Sequence, residues 1–400
     1  MPTANAGGYP ARSGNSSPTG NPARSPLSKP ISDKFRWWVF ISIALIVFLH
    51  GYNLQQRYLR PWTIVQEKLT PTGFVEFFVA NGLLRFLIPM LFAISGYLHA
   101  NFDSAPTGPR IRKRIRTLLV PYLAWSALAM AMTYILELFP STRGMVLSSG
   151  IAYIDDNRRL LHDYHWYELL RSWLLSTIAY QMWFIRVLFI YNLAYQAIRW
   201  CISHKIVGWI FFPAAAMLWL STLGTFFLEG ESLFFFSLGI WLFKTGVPLE
   251  TTARRRIYAR VWGLVFILSA SANTWLAFKG YSLLGNRVYP VLTLMHPVIV
   301  ISGLISCWFG LDNFARCCMH NKRFITISAF AFFIYAFHTP LVAYAIDPVL
   351  SWLSPLPAFR LLAFVFLPLA VIALCIALAA LFRRLAPRSY NILTGGRGIA

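Results

Sequence analysis

The chain has 400 residues, of which 57% are hydrophobic and only 12% charged, with a mean hydropathy of +0.56. A soluble domain carries about 25% charged residues, so this composition excludes one and places the chain in a membrane. The net charge of +22 comes from Lys and Arg gathered at the ends of apolar runs, where they fix topology and attract anionic lipid; this argues against nucleic acid as the partner.

Taken in chain order, residues 1 to about 33 are rich in Ser, Pro, Gly, Asn and Ala and lack the apolar core of a cleavable signal, which predicts a disordered cytoplasmic tail. Ten apolar runs follow, most close to the ~20 residues that a spanning helix needs. They cover roughly 36–56, 74–98, 117–139, 178–199, 206–223, 231–245, 259–278, 288–309, 324–345 and 359–382, the sixth being the shortest. The predicted fold is therefore all-α: a polytopic membrane protein of about ten transmembrane helices over 34–383, with 384–400 a second cytoplasmic tail.

Charge supports the same count. With the N-terminus inside, every inner segment is basic: Arg110 to Arg116, Arg199 with Lys205, Arg254 to Arg260, Arg316 with Lys322 and Arg323, then Arg383, Arg384 and Arg388. The outer segments hold most acids, including Glu67, Asp155, Asp156, Asp163, Glu168, Glu229, Glu231 and Asp347. Ten spans with both ends cytoplasmic satisfy the positive-inside rule, whereas deleting one span inverts half of the loops. The longest outer connection, about 140–177, reads equally as an interfacial helix, a lid over an outward-facing site or a solvated loop. The five cysteines, Cys201, Cys307, Cys317, Cys318 and Cys375, show no metal-binding or disulfide spacing, so no metal is expected.

Two arginines and three histidines lie inside these runs: His50, Arg85, Arg186, His296 and His338. An ionisable group near the bilayer centre costs about 2.5–3.5 kcal/mol, so such residues face a bundle interior or an aqueous cavity. At ~1.5 Å per residue, His50 lies about 21 Å and His338 about 22 Å from the inner surface; Arg85, Arg186 and His296 lie about 16, 12 and 13 Å below the outer one. Five helices thus present their polar groups in one layer, from mid-membrane to the outer third.

Five local patterns stand out, and four of them carry His50, Arg85, Arg186 and His338. In DKFRWWVFISIALIVFLHGYN, Asp33 and Arg36 open the first helix, the acid suiting the helix dipole, and His50 closes it. In RFLIPMLFAISGYL, Pro89 and the Ser95-Gly96 pair predict a kink and a close helix approach after Arg85. KRIRTLLVPYLAWS, Lys113 to Ser126, is a basic inner anchor followed by Pro121. MWFIRVL carries Arg186, and FFIYAFHTPLV carries Tyr335 and His338.

Together these patterns resemble the integral-membrane acyltransferase-3 family, the bacterial O-acyltransferases of surface and exported polysaccharides. The resemblance covers about residues 33–345. Asp33 and Arg36 match its D-x-x-R opening, His50 the histidine ending the first helix, and Arg85, Pro89, Phe92, Ser95 and Gly96 its R-x3-P-x2-F-x2-SG pattern. Trp183, Phe184 and Arg186 match WF-x-R, and Tyr335 with His338 matches IY-x-x-H. Two departures stand out: thirteen residues separate Arg36 from His50 where the family usually has ten, and Val187 follows Arg186 where relatives often carry an acid.

The resemblance implies an enzyme in the bacterial cytoplasmic (inner) membrane that moves an acyl group, by expectation acetyl, from a coenzyme A thioester to a hydroxyl of a glycan or lipid-linked saccharide. No tightly bound cofactor is expected. His50 is the implied general base, Arg85 and Arg186 orient the acceptor or polarise the thioester carbonyl, and His338 is a further binding residue. Arg36 and the basic segment before Thr117 stand where donor phosphates enter. His296, which precedes Pro297, has the alternative of bonding a carbonyl that the proline frees. A transporter or flippase of a polysaccharide intermediate and a catalytically silent relative are the competing readings.

Overall fold

The computed structural model describes residues 27–54, 60, 62–102, 107–149, 151, 159–221, 224–225 and 227–397. Residues 1–26 of the expected tail, and Asp155 and Asp156, lie outside the described residues. Within them the chain is helical, with one isolated bridge between Gly224 and Glu229.

Helix α1, Lys29–Gly51, starts earlier than expected because Pro30 occupies its first turn, where a missing N–H costs nothing. Asp33 therefore stands in the second turn and does not cap the helix dipole. Buried Lys34 pairs with Asp312 at 3.0 Å and lies 4.4 Å over the Trp308 ring. The second expected span is irregular: α2, Pro71–Phe77, widens into a π-turn over Phe78–Leu83, and α3 resumes at Leu87–Asn101. Pro89 sits in the first turn of α3, so the break falls just before it, at Arg85.

The predicted close approach at Gly96 is made by α11, Gly230–Thr245. A Cβ on Gly96 would overlap the Phe236 carbonyl, and one on Gly239 the Ala93 carbonyl, so the two backbones touch where side chains would keep them apart.

After α4, Thr107–Arg114, a second π-turn leads into α5, Val120–Leu138, and α6, Pro140–Ser149, follows. Glu137 near the end of α5 is fully buried and accepts from the backbone N–H of Leu161 at 3.0 Å and from the His162 ring at 2.8 Å. From there α7, Trp166–Leu174, runs back along α5 until Trp173 donates to the Leu123 carbonyl and Tyr122 to that of Leu174. Glu137 lies fifteen positions beyond Tyr122 on α5, about 22 Å along the helix. The connection expected as an interfacial helix, lid or solvated loop thus descends into the bundle. Its Trp166, Tyr167 and Leu170 face outward and stay exposed.

The chain then runs without α-helix through Leu175–Met182 before α8, Trp183–Leu193, and α9, Tyr195–Ser203. Leu175–Met182 therefore interrupts the fourth expected crossing, in place of the continuous helix expected at 178–199. Helix α9 meets α10, Lys205–Leu220, at 117°.

Helices α12, Ala253–Leu284, and α13, Val288–Gly310, fold back on each other at Gly285–Arg287. Short α14, Asp312–His320, and α15, Lys322–Ser328, precede α16, Ala331–Leu353, and α17, Phe359–Leu385. The chain closes with α18, Pro387–Thr394. By length and composition, five described stretches can cross a membrane: Pro71–Asn101, Thr107–Leu138, Ala253–Gly310, Ala331–Leu353 and Phe359–Leu385; the α9–α10 pair raises this to six. All ten expected runs contain helix, but α10 and α11 have only 16 residues each and the fourth run is broken.

Candidate active site

His50, the penultimate residue of α1, is partly buried. The chain beyond it is held firmly. Arg360 at the start of α17 donates to the Asn53 side chain at 3.1 Å and its carbonyl at 2.9 Å and pairs with Glu67 at 2.9 Å, while the Asn53 N–H bonds Glu76 at 3.0 Å. This clamp fixes where α1 ends and so where His50 points.

Two of the expected residues meet directly. The His50 and His338 rings lie 5.4 Å apart, tilted by 33°. His338 is completely buried, and its Nδ1 contacts the Ile334 and Tyr335 carbonyls at 2.9 and 3.0 Å. Nδ1 therefore carries the proton, leaving Nε2 to accept from the Thr339 hydroxyl at 3.1 Å. Nδ1 of His50 lies 2.8 Å from the hydroxyl of Tyr180, a residue that sequence reasoning missed.

Tyr180 belongs to the break in the fourth crossing, and that break explains the neighbouring motif residues. Backbone groups freed inside a membrane need partners from the protein. Tyr122 donates to the Leu174 carbonyl at 2.8 Å, Arg186 to that of Leu175, Thr177 to that of Ala179 at 2.9 Å, and Tyr335 to that of Gln181 at 2.6 Å. The Gln181 side chain bonds the Ala336 carbonyl at 2.9 Å. Arg186 and Tyr335, expected as site residues or their neighbours, thus hold the irregular segment that presents Tyr180.

Arg85, at the break before α3, bonds Asn81 and lies within electrostatic reach of both His50 and Glu231. Nε2 of His296 lies 3.1 Å from Glu231, while its Nδ1 takes no partner among the described residues, so a carbonyl freed by Pro297 is not what holds it. Glu231 is the acid that the sequence around Arg85 and His296 lacks. An acid in the first turn of a short apolar run was its only visible signal. Arg36 stands apart from these groups: it donates to Ser328 Oγ at 3.1 Å and the Ile325 carbonyl at 2.9 Å, bracing α1 against α15.

The structure therefore brings together His50, His338, Tyr180 and Arg85, with Glu231, the partner of His296, within electrostatic reach of Arg85, and puts Arg186 and Arg36 into supporting contacts. A partly buried imidazole held by a phenol, next to a second imidazole and a guanidinium, can accept a hydroxyl proton and stabilise developing negative charge. Comparison with known proteins points the same way. The chain is 25% identical over 381 residues to the succinoglycan biosynthesis protein ExoH of Rhizobium meliloti, covering 92% of this chain and 93% of that relative. No solved structure matches it. Residues 36–380, which include every residue of the site, match the family described as an acyltransferase domain, and the chain belongs to this acyltransferase-3 family.

Proposed function

We propose that this acyltransferase transfers an acyl group, acetyl by family expectation, from a coenzyme A thioester to a hydroxyl of an exported glycan or lipid-linked saccharide. The similarity to ExoH, a succinoglycan biosynthesis protein, supports a polysaccharide acceptor. The observation that carries the chemistry is the 2.8 Å contact between Tyr180 and His50, beside Arg85 and His338.

With Nδ1–H donated to the Tyr180 oxygen, the His50 lone pair lies on Nε2, the base that takes the acceptor's proton. The acceptor oxygen attacks the thioester carbonyl, and Arg85 stabilises the resulting oxyanion. On collapse, the carbon–sulfur bond breaks and the proton on Nε2 passes to the departing thiolate, so His50 ends as it began. General-base catalysis of this kind is worth about 10²–10⁴-fold. We place the enzyme in the bacterial inner membrane, its donor arriving at the basic face and its acceptor from the opposite side.

The broken crossing favours one other reading, movement of a polysaccharide intermediate, because transporters also build sites on interrupted helices. Purified protein given labelled acetyl-CoA and a glycan panel separates the two. Labelled ester formed by wild type and lost in His50→Ala supports the enzyme. Ester made equally by both removes His50 as base, and glycan movement without ester supports transport.

A further inference from the structure

The last residues of the chain, beyond the 36–380 match, enter the bundle from its basic face. Helix α18 lies against α5 and α17: Trp125 donates to the Leu393 carbonyl at 2.9 Å, and fully buried Tyr390 stacks on Phe333 with ring centroids 6.2 Å apart. The helix ends in a glycine turn. The Gly396 N–H bonds the Asn391 carbonyl at 2.9 Å and that of Gly395 the Ile392 carbonyl at 3.1 Å, with φ of +60° at Gly395 and +79° at Gly396. A Cβ on Gly395 would come within 2.6 Å of the Thr117 carbonyl oxygen, so a glycine is needed there for both conformation and space.

This turn sends Arg397 back into the bundle. Its guanidinium donates to the Thr117 carbonyl at 2.9 Å and lies 4.6 Å over the Phe332 ring. Phe332 precedes His338 by six residues of α16, about 9 Å along the helix. Arg114, which bonds His99 at 3.0 Å, is within electrostatic reach of both Arg397 and Arg110. Among the described residues no carboxylate pairs with Arg114 or Arg397. Burial and then the Arg114 charge push the Arg397 guanidinium down to about 10, leaving it protonated at neutral pH. A bare structural anchor does not need like charges brought together at a partly buried site; an anion between them removes the repulsion.

We propose that Arg397, turned into the bundle by Gly395 and Gly396, completes with Arg114 and Arg110 a polyphosphate site for the anionic part of the acyl donor, directly beneath the His50–His338 pair. This site rests on the thioester-donor reading, and binding measured without turnover tests the two separately. In calorimetry on the detergent-purified full chain, inorganic pyrophosphate and coenzyme A bind wild type, and R397Q and R114Q each weaken both at least tenfold while the variants stay folded by circular dichroism. Equal affinity in folded R397Q overturns the site.

Should R397Q fail to fold, phenylglyoxal labelling of wild type, mapped by mass spectrometry, replaces it: pyrophosphate protects Arg397 if the site exists, and equal labelling with and without pyrophosphate overturns it. Loss of pyrophosphate binding in phosphatidylglycerol but not phosphatidylcholine nanodiscs would reassign the site to a lipid headgroup and overturn the donor role. Pyrophosphate bound through Arg397 with no acyl-CoA supporting transfer would sink the proposed reaction and leave the site standing. Transfer with an unchanged acyl-CoA KM in R397Q would do the reverse.

Discussion

The Tyr180 hydroxyl stands 2.8 Å from Nδ1 of His50, a contact between residues 130 apart in sequence. It joins the end of one helix to the middle of a broken one, and four side chains hold the broken segment in place. If Tyr180 fixes the proton on Nδ1 of His50, Tyr180→Phe leaves the ring free to turn without emptying the site. A hydrogen bond to a group that becomes charged is worth about 1.5–3 kcal/mol, so kcat falls about ten- to a hundredfold while KM for the donor stays within twofold. A kcat within twofold of wild type would remove Tyr180 from the positioning of His50.

Arg186→Gln tests the supports of that segment. Losing the donor to the Leu175 carbonyl leaves a freed backbone group inside the bundle, at a cost of about 1–3 kcal/mol. Thermal unfolding in detergent should shift down, and trypsin or hydrogen exchange should open 175–182 before the rest. An unchanged melting point and unchanged exchange over 175–182 would show that Arg186 does not support the break.

The α3–α11 contact makes a packing prediction. Because the obstacle at Gly96 is the Phe236 backbone and not a side chain that can rotate away, Gly96→Ala must push the helices apart. Overpacking of this kind costs about 1–3 kcal/mol or more, read as a lower melting temperature in detergent. Ala tolerated without change at both Gly96 and Gly239 would contradict the close approach.

Glu231 and His296 form a pair that a double-mutant cycle can measure. Glu231→Gln and His296→Gln should each lower stability, and the double variant should lose less than their sum by about 0.5–3 kcal/mol. Strict additivity would mean that the contact is not energetically coupled.

A pH prediction follows from the start of α7, outside the spanning stretches. The Arg159 guanidinium, then the His165 backbone N–H, hold the Glu168 carboxyl below the usual carboxylate range. A depressed carboxylate contributes stability that is complete above its unfolded pKa of about 4.3 and is lost as pH falls through the lower folded value. Hydrogen exchange at Trp166–Leu169 should therefore rise as pH drops below about 4, and Glu168→Gln should flatten that dependence. A profile identical in the variant would assign the change to another group.

The amino-acid sequence by itself determined the solvent of the fold, the helical class, the runs that become helices and the costly residues His50, Arg85 and His338, because hydropathy and insertion cost are sums over local residues. It also marked Gly96 as a point of close helix approach. Sequence alone did not reveal that the fourth crossing is broken at 175–182, since a non-helical segment of apolar residues has the same hydropathy as a helical one. Which groups satisfy that break, which acid faces His296, and which phenol faces His50 depend on partners from distant helices. The C-terminal segment makes the same point: residues 384–400 read as a cytoplasmic tail, and only the packing shows that Tyr390 and Thr394 are fully buried and that Arg397 turns toward Thr117. Only packing decides such contacts, because the partners of Tyr180, Glu231 and Arg397 lie tens to hundreds of residues away, where local composition carries no information.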